Sequence, residues 1–400
     1  MPSRTSLFSR PSSPYFLILG SVSILSALGL VMVLSASSVK ALSESGNSFA
    51  IVFRQAIFLA LSASLAWLAM HLKERLWQVQ ARFALFLSAA FLLLPQVPGL
   101  GKTVGGNTNW IAIGSFSLQP SEFAKFGLIL WCGFRLLAHD RRLKDGFNSN
   151  PLPLVAPGIG LVILLIMVGK DLGTAVVVAG IVGGVLFIAG MQLRYFATLL
   201  ALGIVVLGAF VVTSSNRISR FSAFWDPFSE ANYKSAGWQQ AHSIMGLASG
   251  GPFGTGLGSS KQKWGNLPEA HTDFIFAVIG EELGLLGTLT VLALYAILIL
   301  AIFRVALRAT KPFDRYVTTG IGCWVAVQVL MNIGTVISVM PVVGVTLPFI
   351  SYGGSSLLAT FLAIGYVLGV LRRDPEIAAE LKARKLAKLN GISQGENTRG

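Results

Sequence analysis

Unbroken apolar runs of about 18 to 25 residues recur along this 400-residue chain, each long enough to cross a hydrocarbon layer of about 30 Å. Inside such a layer every backbone N–H and C=O must find its partner within the protein, which admits only helices or a closed barrel. The runs are rich in Leu, Ala and Gly and show no period-two alternation, so helices are expected. The spans predicted are about 15–37, 49–71, 77–97, 120–138, 152–169, 172–190, 194–214, 272–303, 316–339 and 350–371. Only 12% of residues are charged, too few to clothe a soluble protein of this length. The fold class expected is therefore an all-α polytopic membrane protein of about ten transmembrane helices.

The formal net charge is +14, and its location decides its meaning. About two-thirds of the 31 Lys and Arg fall in segments that an even number of spans places together with both termini. That asymmetry marks the cytoplasmic side and argues against a nucleic-acid surface. The organisation expected is a cytoplasmic segment 1–14, a membrane domain 15–373 and a cytoplasmic tail 374–400. Two outer segments are long: Pro98 to Leu118, and about 215–270 between the seventh and eighth spans. The second holds Trp225, Trp238 and Trp264, too aromatic for a disordered linker. The first span ends near a weak signal-cleavage pattern, Ala36-Ser37-Ser38, but exceeds an ordinary signal core and is read as uncleaved. Cys132 and Cys323 lie within apolar spans, where small core residues are expected.

Three polar clusters interrupt the apolar pattern. The run from Leu267 to Gly284, LPEAHTDFIFAVIGEELG, places Glu269, His271, Thr272 and Asp273 where an outer loop enters a span, with Glu281 and Glu282 about two turns deeper. Intramembrane carboxylates are costly and are functional candidates; the alternative is that Thr272 or Asp273 simply caps the helix. The second cluster follows Trp110 and reads Gln119-Pro120-Ser121-Glu122-Phe123-Ala124-Lys125. Glu122 and Lys125, three apart, share a helix face and can pair, either neutralising each other or holding a polar cavity open. The third, from Pro341 to Ser356, includes Ser351 and the small residues of a broken helix start.

Some patterns carry no such weight. Gly101-Lys102-Thr103 lacks the first glycine of a phosphate-binding loop, since Gln96 stands there. Gly254-Thr255-Gly256-Leu257-Gly258 has no strand–turn–helix context for a dinucleotide site. His139 and His242 have no metal-ligand spacing to other donors, and Arg54 is readable as a snorkelling residue.

Together the three clusters resemble the SEDS family (shape, elongation, division and sporulation proteins), polytopic peptidoglycan glycosyltransferases, over about 15–373. The Leu267–Gly284 run resembles the division branch more than the rod-elongation branch. The resemblance implies polymerisation of lipid II, a disaccharide-pentapeptide on a polyprenyl diphosphate, with inversion to a β-1,4 bond. It implies a bacterial inner-membrane protein at the division septum, both termini cytoplasmic and the active site outside. It also implies a class B penicillin-binding protein transpeptidase and other divisome proteins as partners. A lipid II flippase and a non-catalytic divisome scaffold are the other readings. The family's essential extracellular aspartate maps onto Asp273, the expected general base; its glutamate and lysine map onto Glu122 and Lys125. Supporting residues expected are Trp110, Gln119, Asp171, Glu269, His271, Thr272, Glu281 and Ser351. The chain departs from the family at Lys170, where proline usually precedes Asp171-Leu172-Gly173-Thr174, and at Gly106–Asn109, where a basic residue is common. Cations for the diphosphate are sought among Lys102, Lys170, Arg217, Arg220, Lys261 and Lys263. No cofactor is firmly expected; a divalent cation, Mg or Mn, is the one candidate.

Overall fold

The computed structural model describes residues 10–104, 107–114, 116–147, 149–212 and 215–384; the start of the amino-terminal segment and the end of the tail fall outside them. Each of the ten predicted spans lies on a helix. These are α1 (Ser13–Ser45), α2 (Ala50–His71), α3 (Glu74–Leu93), α4 (Pro120–Lys144), α5 (Leu152–Val168), α6 (Leu172–Ile188) and α7 (Leu193–Val212), then α11 (Ile275–Arg308), α12 (Pro312–Val336) and α13 (Gly354–Arg373). Six of them, α1, α2, α3, α11, α12 and α13, are long and apolar enough to cross a membrane. α5 and α6 have 17 residues each, about 26 Å at 1.5 Å per residue, a little short of a full crossing.

α12 is central, packing on α4, α6, α11 and α13, while α13 packs on α2. The most apolar stretches of α12 and α13 are 72% and 78% buried, against 11% for α2, which places α2 at the rim. Small residues permit this closeness: a Cβ on Gly365 of α13 would lie 2.5 Å from the Ala66 carbonyl of α2.

Three expectations are corrected. The first concerns α1, predicted to stop near residue 37. It runs two turns further and ends at Gly46, whose left-handed φ of 70° lets its N–H reach the Leu42 carbonyl. Ala36–Ser38 is thus mid-helix, and Lys40 and Glu44 are carried outward on helix. Second, the chain is not wholly α. The 98–118 segment holds an antiparallel meander, β1 (Gly101–Val104), β2 (Asn107–Ile113) and β3 (Phe116–Leu118), in that order. Its Thr, Val, Ile and Trp residues favour strands, and pairing Lys102 with Trp110 and Ile111 with Leu118 satisfies the backbone without a long loop.

Third, the 215–270 segment, expected as one long outer loop, carries helices of its own. It contains α8 (Ser215–Trp225), α9 (Glu230–Tyr233) and α10 (Trp238–Gly250). α10 lies alongside the first turns of α11, with Gly246 beside Ala277 and Gly250 against Gly280. α11 itself breaks at Gly284 (φ 67°, ψ −162°), about 14 Å along from its start. The segment after α10 closes the break. Thr255 N and Gly256 N donate to the carbonyls of Glu281 and Glu282 at 2.9 and 3.1 Å, and Leu285 N and Leu286 N donate to those of Gly251 and Pro252 at 2.9 and 3.2 Å. The long predicted span 272–303 therefore breaks at Gly284.

Both glycines at this junction are required. A Cβ on Gly284 would come within 2.3 Å of Gly254 N, and one on Gly254 within 2.1 Å of the Glu282 carbonyl oxygen. Gly284→Ala adds positive-φ strain to that clash and should destabilise the protein by about 2 kcal/mol or more. Gly203→Ala in α7, where a Cβ meets open space, should leave stability unchanged or slightly raised. Thermal unfolding of the two variants in the same detergent measures the contrast.

Candidate functional site

The turn before α11, residues 267–274, presents the polar cluster and is held from three directions. Asn332 of α12 donates to the Asp273 carbonyl at 2.7 Å and to the Val345 carbonyl at 2.7 Å. Ser351 Oγ donates to the Thr272 carbonyl at 2.6 Å, and Tyr352 N to the His271 carbonyl at 2.9 Å. Gln55 of α2 in turn holds Ser351 O at 3.1 Å and Gly353 N at 3.3 Å. The backbone of Asp273 is thereby fixed while its carboxylate receives no hydrogen bond among the described residues. Its Oδ2 faces Gly344, where a Cβ would stand 3.5 Å away.

Neither Thr272 nor Asp273 caps α11. Thr272 Oγ1 turns back to Glu269, 2.8 Å from its Oε2, and Phe274 occupies the cap position. Burial, with repulsion from Glu269 and Asp171, pushes the Asp273 carboxyl up to about 7. His271 is moved the other way, down to about 4, by burial and by the Lys40 ammonium, with Glu269 and Glu44 opposing.

A second group meets this one at the 341–356 segment. Asp171 caps α6, accepting from Thr174 N at 3.0 Å and Thr174 Oγ1 at 2.8 Å. It also accepts from Asn109 of β2 at 2.7 Å and from Gln119 at 3.2 Å, which ties the meander, and Trp110 with it, to the start of α6. Gln119 N donates to Ser355 Oγ at 2.9 Å. Beneath lies the Glu122–Lys125 pair at 2.8 Å, with Lys125 only 1% exposed. Lys125 also donates to Gln328 at 3.1 Å and stands 4.8 Å from the Trp324 ring centre; Gln328 reaches the Thr346 carbonyl at 3.0 Å. Losing one member of a buried pair strands the other's charge, at a cost of about 3–5 kcal/mol. Lys125→Met should lower thermal stability by that much, and adding Glu122→Gln should recover most of it.

Glu281 and Glu282 stand apart, both 1% exposed, as anchors for the segment that closes the α11 break. Glu281 accepts from Ser260 Oγ at 2.5 Å, Lys261 N at 2.9 Å and Gln262 N at 3.4 Å. Glu282 accepts from Ser35 Oγ at 2.6 Å and Ser260 N at 3.2 Å, with Lys263 Nζ at 3.8 Å. Lys263 also donates to the Gly258 carbonyl and so serves this junction. Lys261 has an exposed side chain, as do Lys102, Lys170 and Arg220; the Arg217 side chain is outside the described residues. Lys170 occupies a left-handed position (φ 60°) next to Asp171.

Sequence reasoning missed Lys40, Gln55, Gln328 and Asn332. Lys40 was detectable as a basic residue just beyond the predicted end of the first span, on the side where the expected topology holds few basic residues. The other three are polar side chains within apolar spans, now 2%, 0% and 1% exposed, which is itself a signal.

The fold and site define a class: a polytopic helical membrane protein whose polar cluster gathers at one end of the bundle around a broken helix. The model of the FtsW/RodA/SpoVE family, described as cell cycle protein, matches residues 15–375. The chain belongs to that family. It is 36% identical over 383 residues, 96% of this chain and 72% of the relative, to the probable peptidoglycan glycosyltransferase FtsW of Mycobacterium tuberculosis. Against that of Coxiella burnetii it is 38% identical, over 86% of this chain and 92% of the relative. Stage V sporulation protein E of Bacillus subtilis is 34% identical, over 91% and 98%. Among solved structures, a chain of a peptidoglycan synthase complex that coordinates polymerization and crosslinking superposes with a TM-score of 0.71 at 29% identity, covering 89% of this chain and 98% of that one. Rod shape determining protein RodA of Thermus thermophilus gives 0.64 at 30% identity, over 89% and 96%.

Proposed function

We propose that this protein is a peptidoglycan glycosyltransferase that polymerises lipid II into glycan strands during septal wall synthesis, with Asp273 as general base. One observation carries the assignment of the base: a carboxylate with a fixed backbone, no hydrogen-bond donor among the described residues, and a proton affinity raised to about 7. Family membership and the names of its relatives support the substrate class. In the reaction the acceptor sugar hydroxyl loses its proton to Asp273 as its oxygen attacks the donor's anomeric carbon. The C–O bond to the polyprenyl diphosphate breaks with inversion, giving a β-1,4 linkage. Lys40, Lys170 and Lys102 are the candidate cations for the departing diphosphate.

Both termini are read as cytoplasmic and Asp273 as lying on the outer face of the inner membrane, a reading supported by the distribution of basic residues. The partner is a class B penicillin-binding protein within the divisome, a reading supported by likeness to a chain of a synthase complex. Among the described residues no three His, Cys, Asp or Glu side chains converge. The Asp171 carboxylate already accepts four hydrogen bonds. These donors do not fit a protein-built divalent site, so no step is routed through a metal. Lipid flipping would call for available carboxylates within the bundle, and Glu281 and Glu282 are both engaged at the α11 junction.

Purified wild type with its transpeptidase should make strands from labelled lipid II, and Asp273→Ala should lose about 10²–10⁴-fold of the rate while folding normally. Retained polymerisation would remove Asp273 from the mechanism.

The base works ionised, so the rate should fall by roughly tenfold per pH unit below about 7. Glu269→Gln removes a neighbouring negative charge, lowers the Asp273 value and should move this acid limb to lower pH. An unmoved limb would place its origin elsewhere.

A further inference from the structure

Among the described residues, the helix that follows α7 makes none of the contacts described above for the site, and its surface is unusual. α7 ends at Val212 and α8 starts at Ser215, so on the topology proposed above α8 follows the outer end of an apolar span. The flank of α7 is bare: Leu200, Ile204, Val205 and Val212 are all exposed. In α8, Ile218, Phe221 and Trp225 recur at i, i+3 and i+7 and form one stripe. On a helix buried against protein this stripe would be covered. Instead the three are 46%, 46% and 75% exposed, while Ala223 on the opposite side is fully buried. The small side of the helix meets protein and the large apolar side faces outward. Arg220, on the side away from the stripe, is exposed.

We propose that α8 is an interfacial helix, its Ile218–Phe221–Trp225 face inserted among the outer-leaflet acyl chains and Arg220 on phospholipid phosphates. Lipid is favoured over a protein partner because the stripe continues the bare face of α7. An aromatic and apolar face backed by arginine also matches the composition of membrane-interface elements. The inference needs only the membrane setting and is independent of the glycosyl-transfer reading.

The test uses the full chain carrying Cys132→Ala and Cys323→Ala in phosphatidylcholine nanodiscs. An environment-sensitive fluorophore is placed through Trp225→Cys, and separately through Phe221→Cys and Glu230→Cys. Nitroxide-bearing phospholipids should quench the labels at 225 and 221 several-fold more than the label at 230, with blue-shifted emission at the first two. Equal quenching at all three positions would put α8 in water or under protein and overturn the proposal. Adding phosphatidylglycerol should deepen quenching at 221, and Arg220→Glu should abolish that gain. A gain that survives Arg220→Glu would refute the phosphate contact. Because the labels at 221 and 225 each leave the rest of the stripe intact, failure of one variant to fold leaves the other to decide.

Discussion

Four backbone hydrogen bonds across the break in α11 set the geometry of everything outside them. A helix interrupted within a bundle exposes carbonyls on one side of the gap and N–H groups on the other, and in an apolar setting each must be answered. Here the chain answers both with itself: residues 255 and 256 supply donors, residues 251 and 252 supply acceptors. Glu281 and Glu282 then hold the returning strand by its backbone amides and by Ser260. Only after this junction is closed can the chain climb to the 267–274 turn and present Asp273.

The polar network around that turn divides labour between backbone and side chain. Asn332, Ser351 and Tyr352 donate to carbonyls, while no described residue donates to the Asp273 carboxylate. Asp171 is arranged in the opposite way, with four donors on its carboxylate. Two acids near each other thus differ in what remains available: one has acceptor capacity to offer a ligand, and the other organises α6, β2 and the start of α4.

The spans were legible because hydrocarbon thickness dictates run length, and the three clusters because polar residues in apolar runs are costly. What escaped were features set by long-range pairing. Gly254-Thr255-Gly256-Leu257-Gly258 showed its glycines plainly, yet their use depends on Gly284, thirty residues away in the chain. Glu281 and Glu282 were singled out as buried carboxylates, but sequence could not show that their partners are the amides of 260–262. Lys40 was lost because α1 was ended at its serines, although serine within an otherwise apolar helix can bond to the preceding turn, as Ser45 does to Ala41. The meander was hidden for another reason: its strands are short and only half apolar, so no window of the sequence resembles a buried strand.

The closed junction also fixes how this region can change length. Between Gly250 and Ser260 the chain is tied at both ends and at two points between, so adding or removing one residue would shift donors off their carbonyls. Among the described residues the stretch 226–236 shows no such double tether: the bonds from Ser229 and Asn232 to Asp226 are local. Homologous chains should therefore vary freely in length in the second stretch and hardly at all in the first, although both lie within what reads, along the sequence, as a single loop.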